Sequence, residues 1–330
     1  MATRSVEPPT LGGRPALAAL NAIYEFLSGN ETYGKIISME ESRRATGLRL
    51  RLPSKQGCVF SDRRDDSEVS MKDQAKWQEL LVEAVNEPGK IMMAYTAFHN
   101  YSMGNALLAL SQCVQRKLTP GPLNTFKGWQ ELGRYVKKGE RALTLCMPVS
   151  AKKKRINPET KVEEEQVLRY FVYRPNWFVL SQTDGDTPYV LPTPGFEFDT
   201  ALNNLDIRRL EFDIIDGNVQ GFARDRGIAI NPVAQLPHKT TFHELAHIVL
   251  GHTQQAVMVE SDATPRCIRE VEAESVALIC CEALGLPGIA YCRGYLQFWL
   301  RDQKEIPAHS AQRIFCAATA ILKAGSETRS

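Results

Sequence analysis

The stretch His243-Glu244-Leu245-Ala246-His247-Ile248-Val249-Leu250-Gly251-His252 decides how the second half of the chain is read. Positions four apart share one face of a helix, so His243 and His247 can turn both imidazoles to one cation while Glu244 stands beside them. Apolar Phe242, Leu245, Ala246, Val249 and Leu250 make this a buried helix, and Gly251 suits a left-handed C-cap just past the second histidine. A catalytic cation needs a third protein ligand. His252 follows His247 by five residues, one short of the spacing at which a third histidine is sequence-local. Glu270 and Glu274 fall on a second expected helix with apolar Val271, Val276, Ala277, Ile279 and Cys280; being four apart they share a face, whereas Glu272 points elsewhere. Glu270 is therefore read as the third ligand. Glu274 and His252 are read as groups behind the ligands, orienting a histidine through its other ring nitrogen.

Histidine and carboxylate ligands suit Zn2+, with Mn2+ or Co2+ as alternative occupants. A cation held this way lowers the pKa of its water towards about 7. Glu244 then takes the proton and hands it to the leaving amine, which makes amide hydrolysis the expected reaction and a zinc-dependent metallopeptidase of the H-E-x-x-H plus Glu type the expected enzyme. The substrate is expected to pair edge-to-edge with the strand ending at Ile228 to Ile230. A metal that only holds the fold is the competing expectation.

Outward from this motif, 330 residues at 43% hydrophobic and 24% charged exclude a disordered chain, collagen and a small disulfide scaffold. Eight cysteines form no CxxC pair, and neither a signal peptide nor a bilayer-spanning run is read, so a reducing cytoplasm is the expected compartment. Residues 1–70 are read as an unassigned extension, with a helix over Ala16 to Leu27, a strand at Leu48 to Leu52 and a polar run at Ser61 to Glu68. A helix runs from Met71 to Pro88-Gly89, a second carries Met103, Leu107, Leu110 and Val114, and Thr125 to Gly133 turns into a short third. Two strands, Ala142 to Met147 and Val167 to Tyr173, make a hairpin with a charged tip. Pro188 to Gly195 reads as a linker, and a C-terminal helix spans about Ala308 to Lys323. The expected fold class is α+β: a mixed domain at 71–187, a linker at 188–197 and the metal domain at 198–330.

A net charge of +2 implies no charged partner, but it is a cancellation. Between Pro88 and Arg155, twelve Lys and Arg stand against Glu131 and Glu140, a local charge of +10 that leaves −8 for the rest. Such a segment attracts phosphate backbones, and interleaved aromatic rings offer stacking faces to single strands. The residues read as DNA-binding are Tyr101, Arg116, Lys117, Lys127, Arg134, Tyr135, Lys137, Lys138, Arg141 and the run Lys152, Lys153, Lys154 and Arg155. Phe126, Trp129 and Phe171 are assigned to the core; Lys152 to Arg155 is either a solvated hairpin tip or an arm on the phosphates.

From Trp77 to Leu286 the chain resembles the ArdC family of plasmid antirestriction proteins. The resemblance rests on Tyr101-Ser102-Met103-Gly104-Asn105, on Thr125 to Gly133 with Val136 to Glu140, and on Trp177 to Gly185. In the second half it rests on His243 to His247 with Gly251-His252, and on Glu270 to Glu274 ahead of Leu284-Gly285-Leu286. It implies a single-stranded-DNA-binding domain followed by a zincin-like metallopeptidase domain, acting to shield incoming plasmid DNA from restriction; double-stranded DNA and a restriction enzyme or other protein substrate are further partners to expect. The family's E-x-x-A-E spacing falls on Glu270 and Glu274. Two other functions compete with this one: a protease that cuts a repressor or DNA-bound protein, and a non-enzymatic DNA shield.

Overall fold

Three helices open the part of the chain that the computed structural model describes, which comprises residues 71–156, 163–186, 192–215, 218–254, 264–301 and 305–326. The expected helix over Ala16 to Leu27, the strand at Leu48 to Leu52, the hairpin turn at Asn157-Pro158 and the start of the linker lie outside these residues.

Helix α1 (Met71–Asn86) ends ahead of Pro88, and Gly89, at φ 84°, turns the chain into α2 (Lys90–Phe98). Sequence periodicity did not separate α2 from the next helix, α3 (Met103–Gln115). Ser102 caps α3 by accepting from the Asn105 amide. After β1 (Leu123–Thr125), Thr125 caps α4 (Phe126–Glu131) through the Gly128 amide at 3.1 Å. Strands β2 (Arg134–Val136), β3 (Leu143–Ile156), β4 (Glu163–Val179) and β5 (Thr183–Gly185) follow. The first sheet has the order β1-β4-β3, with β3 and β4 the expected hairpin, longer than its apolar segments suggested; β2 and β5 form a two-stranded ribbon.

Then come α5 (Phe198–Asn204), β6 (Arg208–Arg209), β7 (Gly221–Arg224), β8 (Gly227–Ile230), α6 (Pro237–Val249), α7 (Arg266–Ala283), α8 (Ile289–Arg301) and α9 (Ala308–Ser326). The last sheet has the order β6-β8-β7. β8 is the strand expected at Ile228 to Ile230, but it is central: β6 pairs with Gly227 and Ile228 on one side and β7 runs along the other. Edge-to-edge binding of a substrate to β8 is thereby restricted to Ala229 and Ile230 on the β6 side, beyond the two residues that β6 pairs.

The architecture is α+β, and the described residues up to Ile215 and from Gln220 onward fall in one compact unit. Its core runs without a break from Trp77 and Leu107 through Leu245 and Val276 to Phe315. Helix α9 is the centre of that continuity. Its Phe315 ring meets Trp77 of α1 edge-on at 5.9 Å, and Thr319 Oγ1 accepts from the Met103 amide at 2.8 Å. Buried Glu282 of α7 accepts from the Gly89 and Ile91 amides at the start of α2, while Arg293 of α8 donates to Glu282 and to the carbonyls of Ala84 and Val85. Gly104 leaves room for Trp77, because a Cβ there would lie 2.7 Å from its ring. Among the described residues, no helix is long and apolar enough to cross a membrane.

Candidate metal centre

Proline at the first position of α6 starts a helix whose successive turns carry Lys239, His243 and His247 on one face. Phe242, Leu245 and Ala246 of the same helix are buried in the core. Packed against α6, α7 brings Glu270 and Glu274 to the histidine face. His243 Nε2 and His247 Nε2 are 3.1 Å apart, and Glu270 Oε2 lies 3.4 Å from the first and 3.7 Å from the second. One donor atom from each of these three residues falls within 4.8 Å of the others, the only such group among the described residues. The expected ligand set is brought together.

Each of the two histidines has a partner behind it. His243 Nδ1 is 2.9 Å from Glu274 Oε2, and Lys239 Nζ stands 2.9 Å from the other oxygen of that carboxylate. His247 Nδ1 is 3.0 Å from His252 Nδ1. That contact is made by the helix end: Gly251, at φ 78°, directs its amide to Ile248 O, and the His252 amide reaches back to His247 O at 2.8 Å. These two bonds form a Schellman motif, which folds the chain back and places the His252 ring beside that of His247. His252 in turn meets Glu272 Oε2 at 2.8 Å. Glu272, which helix geometry aims away from Glu270 and Glu274, is therefore part of the site's surroundings, and sequence reasoning missed it. Its signal was a charged residue inside the apolar run of α7.

Protonation follows these contacts. Burial alone would lower the His243 pKa, but hydrogen bonds to Glu270 and Glu274 and the charges of Glu274 and Glu244 raise it to about 10. Burial raises the carboxyl groups of Glu270 and Glu274; the histidines outweigh it at Glu270, and Lys239 with His243 outweighs it at Glu274, which falls to about 2. Desolvation raises Glu244 above the ordinary carboxylate range, against the pull of His243 and His247. His252 is lowered to about 4, chiefly by burial.

The residues read as DNA-binding divide by exposure. Lys117, Lys127, Lys138 and Arg141 face solvent, and Tyr135 is 60% exposed. Arg116 is exposed yet donates to the carbonyls of Arg141 and Ala142, and with Arg141 lines a hollow of about 340 Å³. Lys137 donates to Ser181 O at 3.1 Å and lies 3.6 Å from Asp184. Arg134 is corrected: it is buried, and its guanidinium is spent on Thr183 and the carbonyls of Gly185 and Asp186. The Tyr101 hydroxyl donates to Leu123 O, burial pushes its pKa up to about 12, and its ring packs on the core. Trp129 is core as expected, Phe171 is half-buried against it, and Phe126, expected inside, is 49% exposed. Lys152 to Arg155 lie in β3, in register with Val167, Gln166, Glu165 and Glu164 of β4, so they are strand residues, two of them at the register of an acidic residue, and not part of the turn. A hollow of about 1560 Å³ between α1, α2 and α3 is lined by Glu79, Glu83, Met92 and Met93 and includes none of His243, His247 and Glu270.

Residues 70–176 match the family profile described as the N-terminal domain of the anti-restriction factor ArdC. Two crystal structures of the antirestriction ArdC protein from plasmid R388 are similar to this chain. The metal-free one is 19% identical, covering 76% of this chain and 94% of its own with a TM-score of 0.45. The Mn(II)-bound one is 17% identical, covering 77% and 99% with a TM-score of 0.42. No curated protein matches.

Proposed function

We propose that the chain, whose residues 70–176 match the profile of the ArdC N-terminal domain, is an antirestriction protein with two cooperating activities. The exposed cations around α4 and the β2–β5 ribbon bind single-stranded DNA, and a divalent cation at His243, His247 and Glu270 serves hydrolysis of an amide bond in a protein met on that DNA. The observation that carries the second activity is the convergence of one atom from each of those three residues beside Glu244. Two imidazoles and a carboxylate fit Zn2+, and the same set accepts Mn2+ or Co2+. A cation bound there supplies Lewis-acid polarisation.

The chain's own residues do the rest. Glu244 neighbours His243 in sequence and sits in a water-poor setting that lifts its basicity, which suits a group that takes a proton and gives it back. Glu274, held by Lys239, accepts from His243 Nδ1 and leaves Nε2 free to bind. Phe126 and Tyr135 offer ring faces close to Lys127, Lys137 and Lys138 along the chain, the combination that stacking on unpaired bases requires.

The test is Glu244→Gln beside His243→Ala. Glu244→Gln keeps the metal content of the parent protein and loses protection of unmodified DNA in a restricting host, as His243→Ala does. Full protection by Glu244→Gln would remove hydrolysis from the function.

A further inference from the structure

The site holds two ligand histidines but supports them differently, one by a carboxylate directly and the other by a histidine backed by a carboxylate. We infer that Glu272 is a positioning residue: acting through His252, it keeps the proton of His247 on Nδ1 and the Nε2 lone pair turned towards Glu270 and His243, while Arg313 of α9 holds Glu272 in place. This rests on reading His243, His247 and Glu270 as a cation site.

The reasoning is one of donors and acceptors. A neutral imidazole carries one N–H, so a histidine that gives its Nε2 lone pair to a cation must be protonated at Nδ1. His247 Nδ1 lies 3.0 Å from His252 Nδ1, so His252 has to accept there and carry its own proton on Nε2. That nitrogen is 2.8 Å from Glu272 Oε2, and an ionised carboxylate only accepts. Glu272 therefore fixes the direction of both hydrogen bonds. With a neutral, ambivalent group in its place, His252 could take the other tautomer and donate to His247 Nδ1, moving the His247 proton onto Nε2, where it blocks a cation.

Burial makes the arrangement rigid. Glu272 is 0% exposed, and a carboxylate so placed is costly unless neighbours compensate it. Arg313 Nη1 stands 3.6 Å from its second oxygen, and Arg313 Nη2 donates to Leu250 O at 2.7 Å, tying α9 to the end of α6. His252 is thereby fixed on two sides, by its backbone in the Schellman turn and by its ring against Glu272. On α7 the series Glu270, Glu272, Glu274 thus holds a ligand, an indirect orienter and a direct orienter.

The experiment uses the full chain and Co(II) as probe, with affinity measured by competition against a chelator and the cobalt d–d absorption recorded. The wild type binds, and His243→Ala does not. His252→Leu and Glu272→Gln each lose about 10- to 100-fold in affinity, as loss of a group behind a metal ligand does, with metal-free melting preserved. His252→Asn, whose Oδ1 accepts at the position of Nδ1, recovers affinity to within a few-fold of wild type. If wild type and His243→Ala bind Co(II) alike, the cation site itself is wrong. If the wild type binds but Glu272→Gln binds equally well, or Asn is no better than Leu at position 252, the positioning role is overturned. Should His252→Leu not fold, ring ¹⁵N shifts of the metal-free wild type decide: His247 reads as the Nδ1–H tautomer and His252 as Nε2–H, and the opposite pair refutes the inference.

Discussion

At the scale of single residues, the metal-free site stores positive charge where a cation would sit. His243, raised to about 10 from an ordinary 6.5, is protonated in the folded chain over most of the accessible pH range. A raised histidine stabilises the fold fully below its unfolded value and loses that contribution as pH climbs through the folded one. Metal-free protein should therefore melt at lower temperature as pH rises from about 6.5 to 10, with the slope reduced in His243→Asn. Metal uptake must displace the same proton, so affinity for Co(II) should increase over that range. Gly251 is the second residue with an outsized role: at φ 78° an alanine costs about 1–2 kcal/mol. Gly251→Ala should lower the melting temperature and also weaken metal binding, because the same turn places His252. His243, His247, Glu270 and Glu274 were legible from the four-residue spacing of a helix, and Glu244 from its place in the H-E-x-x-H motif. Glu272 was not. Its partner lies beyond a helix end, and only the left-handed turn at Gly251 brings the two together.

Among elements, the hairpin and the last sheet carry the main differences from the sequence reading. Counting charges to Arg155 stops just short of Glu163, Glu164 and Glu165, which β4 places in register with Ile156, Arg155 and Lys154. Three acidic residues in the same stretch of the ladder lower its net charge, so this part of the hairpin contributes less to a DNA-binding field than its lysines alone suggest. For single strands, each phosphate neutralised contributes about 0.7 to the slope of log affinity against log salt. Replacing Lys127, Lys138 and Arg141 together by Gln should flatten that slope by about 2. The four changes Lys152→Gln, Lys153→Gln, Lys154→Gln and Arg155→Gln should flatten it by less, as read by fluorescence titration of labelled oligonucleotide. Helix existence was predictable from apolar periodicity for α1, α3, α6, α7 and α9. The separate helix α2 was hidden by its closeness to α3, and the burial of Arg134 by a pairing between β2 and β5, nearly fifty residues apart, that no local pattern announces.

For the whole molecule, the proposed division of chemistry at residues 188–197 meets packing that crosses it. The strings that carry the family resemblance are partly structural pins for this packing: Gly104 under Trp77, Asn105 bonded to Cys146 in both directions, and Gln182 buried against Glu140 and Arg141. Fragments 71–187 and 198–330 expressed apart would each expose a face of the shared core. They should be insoluble or unfolded by circular dichroism when separate, and recover when co-expressed; two independently folded fragments would contradict the continuous core. Sequence could not show this, because the residues that join the halves, Trp77 with Phe315 and Glu282 and Arg293 with the backbone of α1 and α2, read as ordinary core and helix residues until they are seen together.

Helix α9 touches both the amide of Met103 and the carboxylate of Glu272, so it is common ground for the half proposed to bind nucleic acid and the half proposed to bind a cation. Any ligand that favours one setting of this helix changes the free energy of the other site by the same amount, since binding equilibria on one molecule are reciprocal. The factor by which an oligonucleotide alters cobalt affinity must then equal the factor by which cobalt alters oligonucleotide affinity, and two titrations, each repeated with the other ligand present, measure one number twice.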